Sequence, residues 1–516
     1  MSIPRWAVAA MVLGLTSCGE DGELFVDSAH EHLDYTGIWR QAANAATVNW
    51  QGSSVGLVFS GTKVVVVMEA DEFGDQYRVI LDGIAAREPL VLEAGERAYV
   101  LATGLDPRAE HKVSLFKETY SRSANRLHGF RVYGPSPESH QSRPNPSLRI
   151  AFFGDSNMDG TSLYSEKDSG DSGSYYAFPA STARMLHAEM QLQARGGATL
   201  AGADANNVVF FVGSPDGQTH SPDFRTGFEP DVIVVNAGAN DIFTVEPEQR
   251  EAHTRRNYRK AVAALREVYG ASPHIVLMNA YGWDSDEPAN YTQDIVSEIG
   301  GNLSALHFPW IWEQWHGSMW EHSGQAHLLA RHIVSLDERW SIRQPHEIID
   351  SFDPAGNVVN GGFEAVAPFG SFGWRYKDDG VERVESEVEA KEGRYFIRLD
   401  EGEVIHQATD ATGDLSPGAT KGGETYRVSA WMRAGSADAR ATVMTRFRSQ
   451  QFGTQTSDVF ESQVSAWELT PDWRRYEHTS TAPSGAWTTF HYLSAEAGVV
   501  EIDDVSVDYR PSETRD

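Results

Sequence analysis

The sequence predicts a multidomain chain: an N-terminal β-sandwich of the jelly-roll kind, a central three-layer α/β domain on a parallel sheet, and a C-terminal β-sandwich. Three observations predict it. Residues 30–137 hold short strand-like runs broken by Gly, Asp and Pro, with no useful helical period. Over 147–345, apolar strand signals alternate with helical ones, as βαβ units require. Residues 351–510 return to short strands. The 516 residues accommodate about three domains of ordinary size.

The chain opens with MSIPRWAVAAMVLGLTSC over residues 1–18: one positive charge at Arg5, a short apolar run, then Leu15-Thr16-Ser17-Cys18. The run is too short to span a bilayer as a stable helix and reads as a targeting segment. Leu-Thr-Ser-Cys resembles the lipobox of bacterial lipoproteins, whose cysteine becomes the lipidated first residue. Cys18 is the sole cysteine, so no disulfide forms within the chain. The resemblance implies a lipid anchor at Cys18, a membrane as partner, a tether over 19–29 and a place in the bacterial cell envelope. The formal net charge of −30 argues against nucleic acid, or any anionic polymer, held on a basic patch.

In the first domain the strand-like runs fall at 54–60, 63–68, 76–81, 97–102, 111–117 and 130–133, with turns at Gly61-Thr62 and Asp82-Gly83. A Pro/Ser/Asn-rich linker, 135–146, follows. The central domain is expected to hold strands at 148–153, 208–212, 231–236 and 274–279, and helices at 177–193, 248–269 and 324–337.

Its first strand carries the chemistry. Ile150-Ala151-Phe152-Phe153 stops at Gly154-Asp155-Ser156, a pattern that lifts Ser156 out of the carboxyl end of a buried strand. Open α/β sheets place reacting groups at that edge. A serine there is a candidate nucleophile and needs a base and an oxyanion site. The 231–236 strand likewise runs into Ala237-Gly238-Ala239-Asn240-Asp241, where the Asn240 amide can donate. Gly197, in Arg195-Gly196-Gly197-Ala198, offers a backbone N–H that a ligand can approach closely.

Phe153-Gly154-Asp155-Ser156, a mid-domain glycine, Gly238-Ala239-Asn240-Asp241 and a late histidine resemble, in order and spacing, the four blocks of the SGNH hydrolases, or GDSL esterases, over roughly 147–340. Trp50-Gln51-Gly52-Ser53, Phe59-Ser60-Gly61-Thr62, Asp82-Gly83, His111-Lys112-Val113 and Gly129-Phe130 resemble the N-terminal jelly roll of carbohydrate esterase family 2. Members of that family are SGNH esterases that remove acetyl groups from plant-type polysaccharides. The resemblance implies Ser156 as nucleophile. It implies an oxyanion hole from the Ser156 N–H, the Gly197 N–H and the Asn240 side chain. It implies an acetylated polysaccharide or oligosaccharide, xylan- or glucomannan-like, as substrate, and catalysis without a cofactor.

The histidine departs from the pattern. The family usually carries Asp-x-x-His or Asp-x-His before its last helix, but the stretch from Glu313 to His332 holds no aspartate. His322 is the expected base, because it immediately precedes the helix signal at 323–333; His316, three residues after Glu313, is the alternative. Glu321 and Glu313 are the candidate orienting acids, and a main-chain carbonyl serves in some family members. Trp283, Trp310, Trp312, Trp315 and Trp320 crowd the same region, and Trp283 and Trp320 are expected to line the site as sugar platforms.

Asn360-Gly361-Gly362-Phe363-Glu364, Gly373-Trp374, Glu392-Gly393-Arg394-Tyr395, Gln407, Leu415-Ser416-Pro417-Gly418, Tyr426-Arg427-Val428-Ser429-Ala430-Trp431, Trp473 and Glu501-Ile502-Asp503-Asp504-Val505 resemble, over residues 355–509, the jelly-roll carbohydrate-binding modules attached to xylanases and glucanases. That resemblance implies a structural calcium shared by Glu364 and Asp503, and roles for Trp374, Trp431, Trp473 and Trp487 as sugar platforms or core. Two other functions stay open: a sugar-binding surface lipoprotein whose esterase has decayed, for which the missing aspartate speaks, and an SGNH lipase or arylesterase.

Overall fold

The computed structural model describes residues 22–511, apart from 43, 142–147, 165–171, 222–226, 279–286, 307–315, 348–357, 366–371, 377–378, 409–419, 421 and 450–459. Cys18, Trp283, Trp310, Trp312, Glu313 and Trp315 therefore lie outside the described residues. No described helix is long and apolar enough to cross a membrane.

Alternation of apolar and polar residues builds the first domain. Val55, Leu57 and Phe59 on Ser54–Ser60, and Val64, Val66 and Met68 on Lys63–Ala70, are buried in one core. The two strands belong to two antiparallel sheets, one of six strands and one of seven, so the core is the interior of a β-sandwich. Arg78 and Glu118 form a 2.7 Å ion pair, both side chains fully buried.

The central domain rests on a five-stranded sheet in which every pairing is parallel. Its order is Glu189–Ala194, Arg149–Gly154, Val232–Asn236, His274–Met278, Leu303–Leu306. The second strand in the chain pairs outside the first and the third pairs inside it, so the order reverses at Arg149–Gly154. That switch point is where such sheets open a crevice. The helices are α1 (Ser156–Asp159), α2 (Phe178–Leu186), α3 (Val208–Val212), α4 (Arg250–Tyr269), α5 (Glu287–Ile299) and α6 (Met319–Leu336).

Three elements differ from expectation. The 177–193 helix is α2 plus a strand, Glu189–Ala194, whose Gln193 is buried but donates to the carbonyls of Phe211 and Ser214 at 2.7 and 3.0 Å. The 208–212 strand is α3, because the Asn207 side chain caps it by accepting from the Phe210 N–H at 2.9 Å. Short apolar runs carry no period that separates the two states. The last helix begins at Met319 rather than 324.

The C-terminal domain packs a five-stranded antiparallel sheet, Val381–Glu385, Tyr395–Leu399, Val500–Arg510, Thr425–Ala434 and Arg474–Thr481, on a four-stranded one, Val404–Ala408, Ala486–Ala497, Arg440–Ser449 and Gln463–Glu468. Trp374, Ile397, Tyr426, Phe447 and Leu493 fill the space between. Pro146–Asp516 forms one compact unit and Met1–Asn145 another.

Candidate active site

Ser156 stands where the central strand ends. Gly154, its last residue, runs so close to the next strand that a β-carbon there would lie 2.5 Å from the Asn236 carbonyl oxygen and 2.8 Å from Met158. Only glycine fits, which accounts for the first letter of Gly-Asp-Ser. Asp155 caps α1, its carboxylate accepting the Asn157 N–H at 3.1 Å. Burial pushes the Asp155 carboxyl well above the usual carboxylate range.

His316 Nε2 lies 3.1 Å from Ser156 Oγ. This is the distance of a nucleophile–base pair. The structure thus brings Ser156 to His316 and not to His322. His322 is fully buried on α6, where its Nδ1 accepts the Phe178 N–H at 3.2 Å and its ring stacks on Phe178. Burial, with His316 nearby, lowers its pKa to about 3, so the ring is held neutral. The physical reason for the correction is the start of α6. Ser318 is its N-cap and accepts from the Trp320 N–H at 3.2 Å, which puts His322 inside the helix and His316 just ahead of it. Ser318-Met319-Trp320-Glu321 is a capping-box pattern, the sequence signal that locates this start.

The loops after three adjacent strands are tied to one another. Asp159, at the end of α1, accepts from Thr161 N and Oγ1 at 3.0 and 2.7 Å and from the Gly196 N–H. Asn240 Nδ2 donates to the Ala198 carbonyl at 3.0 Å. Asp241 accepts from Leu200 N at 2.9 Å and Asn257 Nδ2 at 2.8 Å. Gly197, at φ +74°, is therefore bracketed by residues bound to the serine turn on one side and the Asn240 turn on the other. One hydrogen of the Asn240 amide is left for a ligand. Burial raises Asp159 to about 7 and Asp241 to about 6. Sequence reasoning singled out neither Asp159 nor Asp241 for this bracing; the signal was their adjacency to the two motif ends.

Trp320 is 1% exposed, closed in against Gly373, and does not line a site. Glu321 is fully buried with its side chain folded against Gly317. Glu364 Oε1 accepts the N–H groups of Arg394 and Tyr395, and Asp503 Oδ2 those of Lys391 and Glu392, so both carboxylates hold one loop. Among the described residues no three His, Cys, Asp or Glu gather as a cation site. Trp374 is core. Lys391 covers the ring of Trp431 at 4.4 Å and Arg433 that of Trp473 at 4.7 Å, so each of these rings already has a cation on it. The Trp487 side chain lies outside the described residues.

With this geometry in view, residues 152–307 match the GDSL-like lipase/acylhydrolase family. The central domain is a GDSL-like acylhydrolase. Residues 35–136 match the carbohydrate esterase 2 N-terminal domain. An acylhydrolase so composed is a carboxylic ester hydrolase of the SGNH type. The match ends before His316, which the 3.1 Å contact alone ties to Ser156. No curated protein matches the chain. Among solved structures the chain resembles a family two carbohydrate esterase from Clostridium thermocellum in complex with cellohexaose (21% identity, TM-score 0.50, 59% of this chain and 98% of that one). It also resembles a family two carbohydrate esterase from Cellvibrio japonicus (17%, 0.53, 61% and 98%). An acetyl xylan esterase from Butyrivibrio proteoclasticus is similar to the same extent (15%, 0.53, 61% and 99%). At these identities the likeness establishes the fold.

Proposed function

We propose that this acylhydrolase removes O-acetyl groups from a polysaccharide or oligosaccharide, xylan- or glucomannan-like, by acyl transfer through Ser156. The observation that carries the reading is the contact of Ser156 Oγ with His316 Nε2, set beside the braced Gly197 and Asn240 turns. The carbohydrate esterase 2 domain in front, and neighbours that include an acetyl xylan esterase and a cellohexaose complex, support sugar as the alcohol.

His316 takes the Ser156 proton as Oγ attacks the acetyl carbonyl carbon. The oxyanion rests on the N–H of Ser156, the N–H of Gly197 and the Asn240 amide. The C–O bond to the sugar breaks, and His316 returns the proton to the leaving alkoxide. Water then attacks the acetyl-serine, His316 takes its proton, and acetate leaves as Oγ is reprotonated. Leu15–Cys18 support a lipoprotein anchor that would hold this activity in the cell envelope.

Acetate release from acetylated xylan and from 4-nitrophenyl acetate tests the reading. Ser156→Ala and His316→Ala are expected to lose on the order of 10⁴-fold or more in kcat. His322→Ala, which removes a packing residue, keeps turnover of wild-type order per folded molecule. A dead His322→Ala beside an active His316→Ala would restore the other histidine as base. Hydrolysis of the nitrophenyl ester alone would favour the lipase or arylesterase reading. Acetate from neither would favour a binding protein.

A further inference from the structure

We propose that the C-terminal sandwich is a working part of the active site: through Gly373 it seats Trp320, and through Trp320 it fixes the loop that presents His316. The inference rests on the reading of His316 as the base.

Trp320 is the second residue of α6, four positions from His316, and is 1% exposed. Its indole N–H is buried with no hydrogen-bond partner among the described residues. Packing, not a hydrogen bond, therefore sets the ring. One wall of that packing comes from the C-terminal domain. Gly373 lies on the indole at φ +88°, and a β-carbon there would be 3.0 Å from Cδ2 and 3.1 Å from Cγ of Trp320. Both the backbone conformation and the space demand glycine.

Gly373 is itself held rigidly from its own domain. Its carbonyl accepts from Gln407 Nε2 at 2.7 Å, on the Val404–Ala408 strand. The Phe372 carbonyl accepts from Asn360 Nδ2 at 2.9 Å, and Trp374 is sunk in the sandwich core. Arg375 and His406 exchange two backbone hydrogen bonds at 3.0 and 3.1 Å. On the other side of the indole, Ser318 caps the Trp320 N–H, and Glu321 folds onto Gly317 so closely that a β-carbon on that glycine would meet its Oε2 at 2.7 Å. The line of contact from sandwich to base is thus Gly373, Trp320, the Gly317-Ser318 turn, His316. Gly373 and Trp320 are positioning residues and touch no substrate.

The test uses the full chain and 4-nitrophenyl acetate. Gly373→Ala is expected to lower kcat tenfold to about a hundredfold, the scale of a misplaced catalytic group, with KM little changed and the fold intact by circular dichroism. Trp320→Phe, a smaller ring, combined with Gly373→Ala should recover part of the loss. In a His316→Ala background, Gly373→Ala should make no further difference, which a merely structural role would not produce. Wild-type kcat in folded Gly373→Ala, or an equal loss with and without His316, would overturn the proposal. Should Gly373→Ala not fold, Trp320→Phe alone carries the same comparison in both backgrounds. If His316→Ala itself stays active, the base assignment fails, and that result is read separately.

Discussion

Asn240 has two jobs under the proposed reaction. One amide hydrogen holds the Ala198 carbonyl, and the other is the one offered to the developing oxyanion. Asn240→Ala is therefore expected to lower kcat by about 10²–10³-fold, the range for loss of one oxyanion donor, while KM moves little. Steady-state kinetics on 4-nitrophenyl acetate checks this. Asp159 works at one remove. Its carboxylate binds the Gly196 N–H, so Asp159→Ala should loosen the glycine turn and lower kcat by less than Asn240→Ala does. An Asp159→Ala enzyme slower than Asn240→Ala would mean that the acid has a direct part. The placement of Ser156, Gly197 and Asn240 after strands was legible in the sequence, and strand ends on a parallel sheet lie along one edge. Asp159 was harder to see, because a carboxylate that binds only backbone leaves no partner in the sequence.

At the scale of the element, the decisive boundary is the start of α6. Helix content was legible in the stretch from Ser323 onward, but its first turn was not, since Met319-Trp320-Glu321-His322 mixes apolar and polar residues without an evident face. With the helix starting at Met319, His322 lies inside it and His316 stands just ahead of it, beside Ser156 Oγ. The same start also buries Trp320, which a sequence reading takes as readily for a sugar platform. The N-cap now carries a prediction. Ser318→Ala should cost about 1 kcal/mol, as loss of a capping oxygen does, seen as a lower denaturation midpoint. It should also reduce kcat, because the capped turn adjoins His316. A midpoint shift with unchanged kcat would place the cap outside the catalytic loop's support. The short apolar runs fared differently: 208–212 became α3, since five residues show no period and the Asn207 cap decided it.

Across the whole molecule, the succession of strands, a parallel α/β sheet and strands again was legible from the change of pattern along the chain. The packing of Gly373 on Trp320 was not, because no local signal announces a contact between distant segments. Three histidines, His322, His346 and His491, are buried with pKa values lowered from 6.5 to about 3. Burial is the largest cause for each. Between those values the unfolded chain binds more protons than the folded one, so stability rises with pH through this window and falls as pH drops below about 6.5. Asp159 and Asp241, raised to about 7 and about 6, act with the opposite sign: burial of their charge costs stability as pH rises through those values, and acid relieves that cost. Asp155, raised well above the carboxylate range, and Asp503, raised to about 6, add to the carboxyl side, so the two sets oppose each other; from pH 7.5 to 4 the urea midpoint of His322→Gln, whose side chain does not titrate, should fall less or rise more than that of the wild type. A wild-type midpoint that rises steadily to pH 4 would show that the carboxyls dominate.

These buried imidazoles bear on how long the enzyme lasts in its own surroundings. Under the proposed reaction every turnover liberates an acid. In a confined, weakly buffered gel of polysaccharide, acetate production draws the local pH below about 6.5, where unfolding lets His322, His346 and His491 take up protons that their buried, neutral rings refuse in the fold. The working lifetime of the catalyst is then coupled to how fast its product diffuses away or is consumed by neighbours, and a fast burst of deacetylation would limit itself.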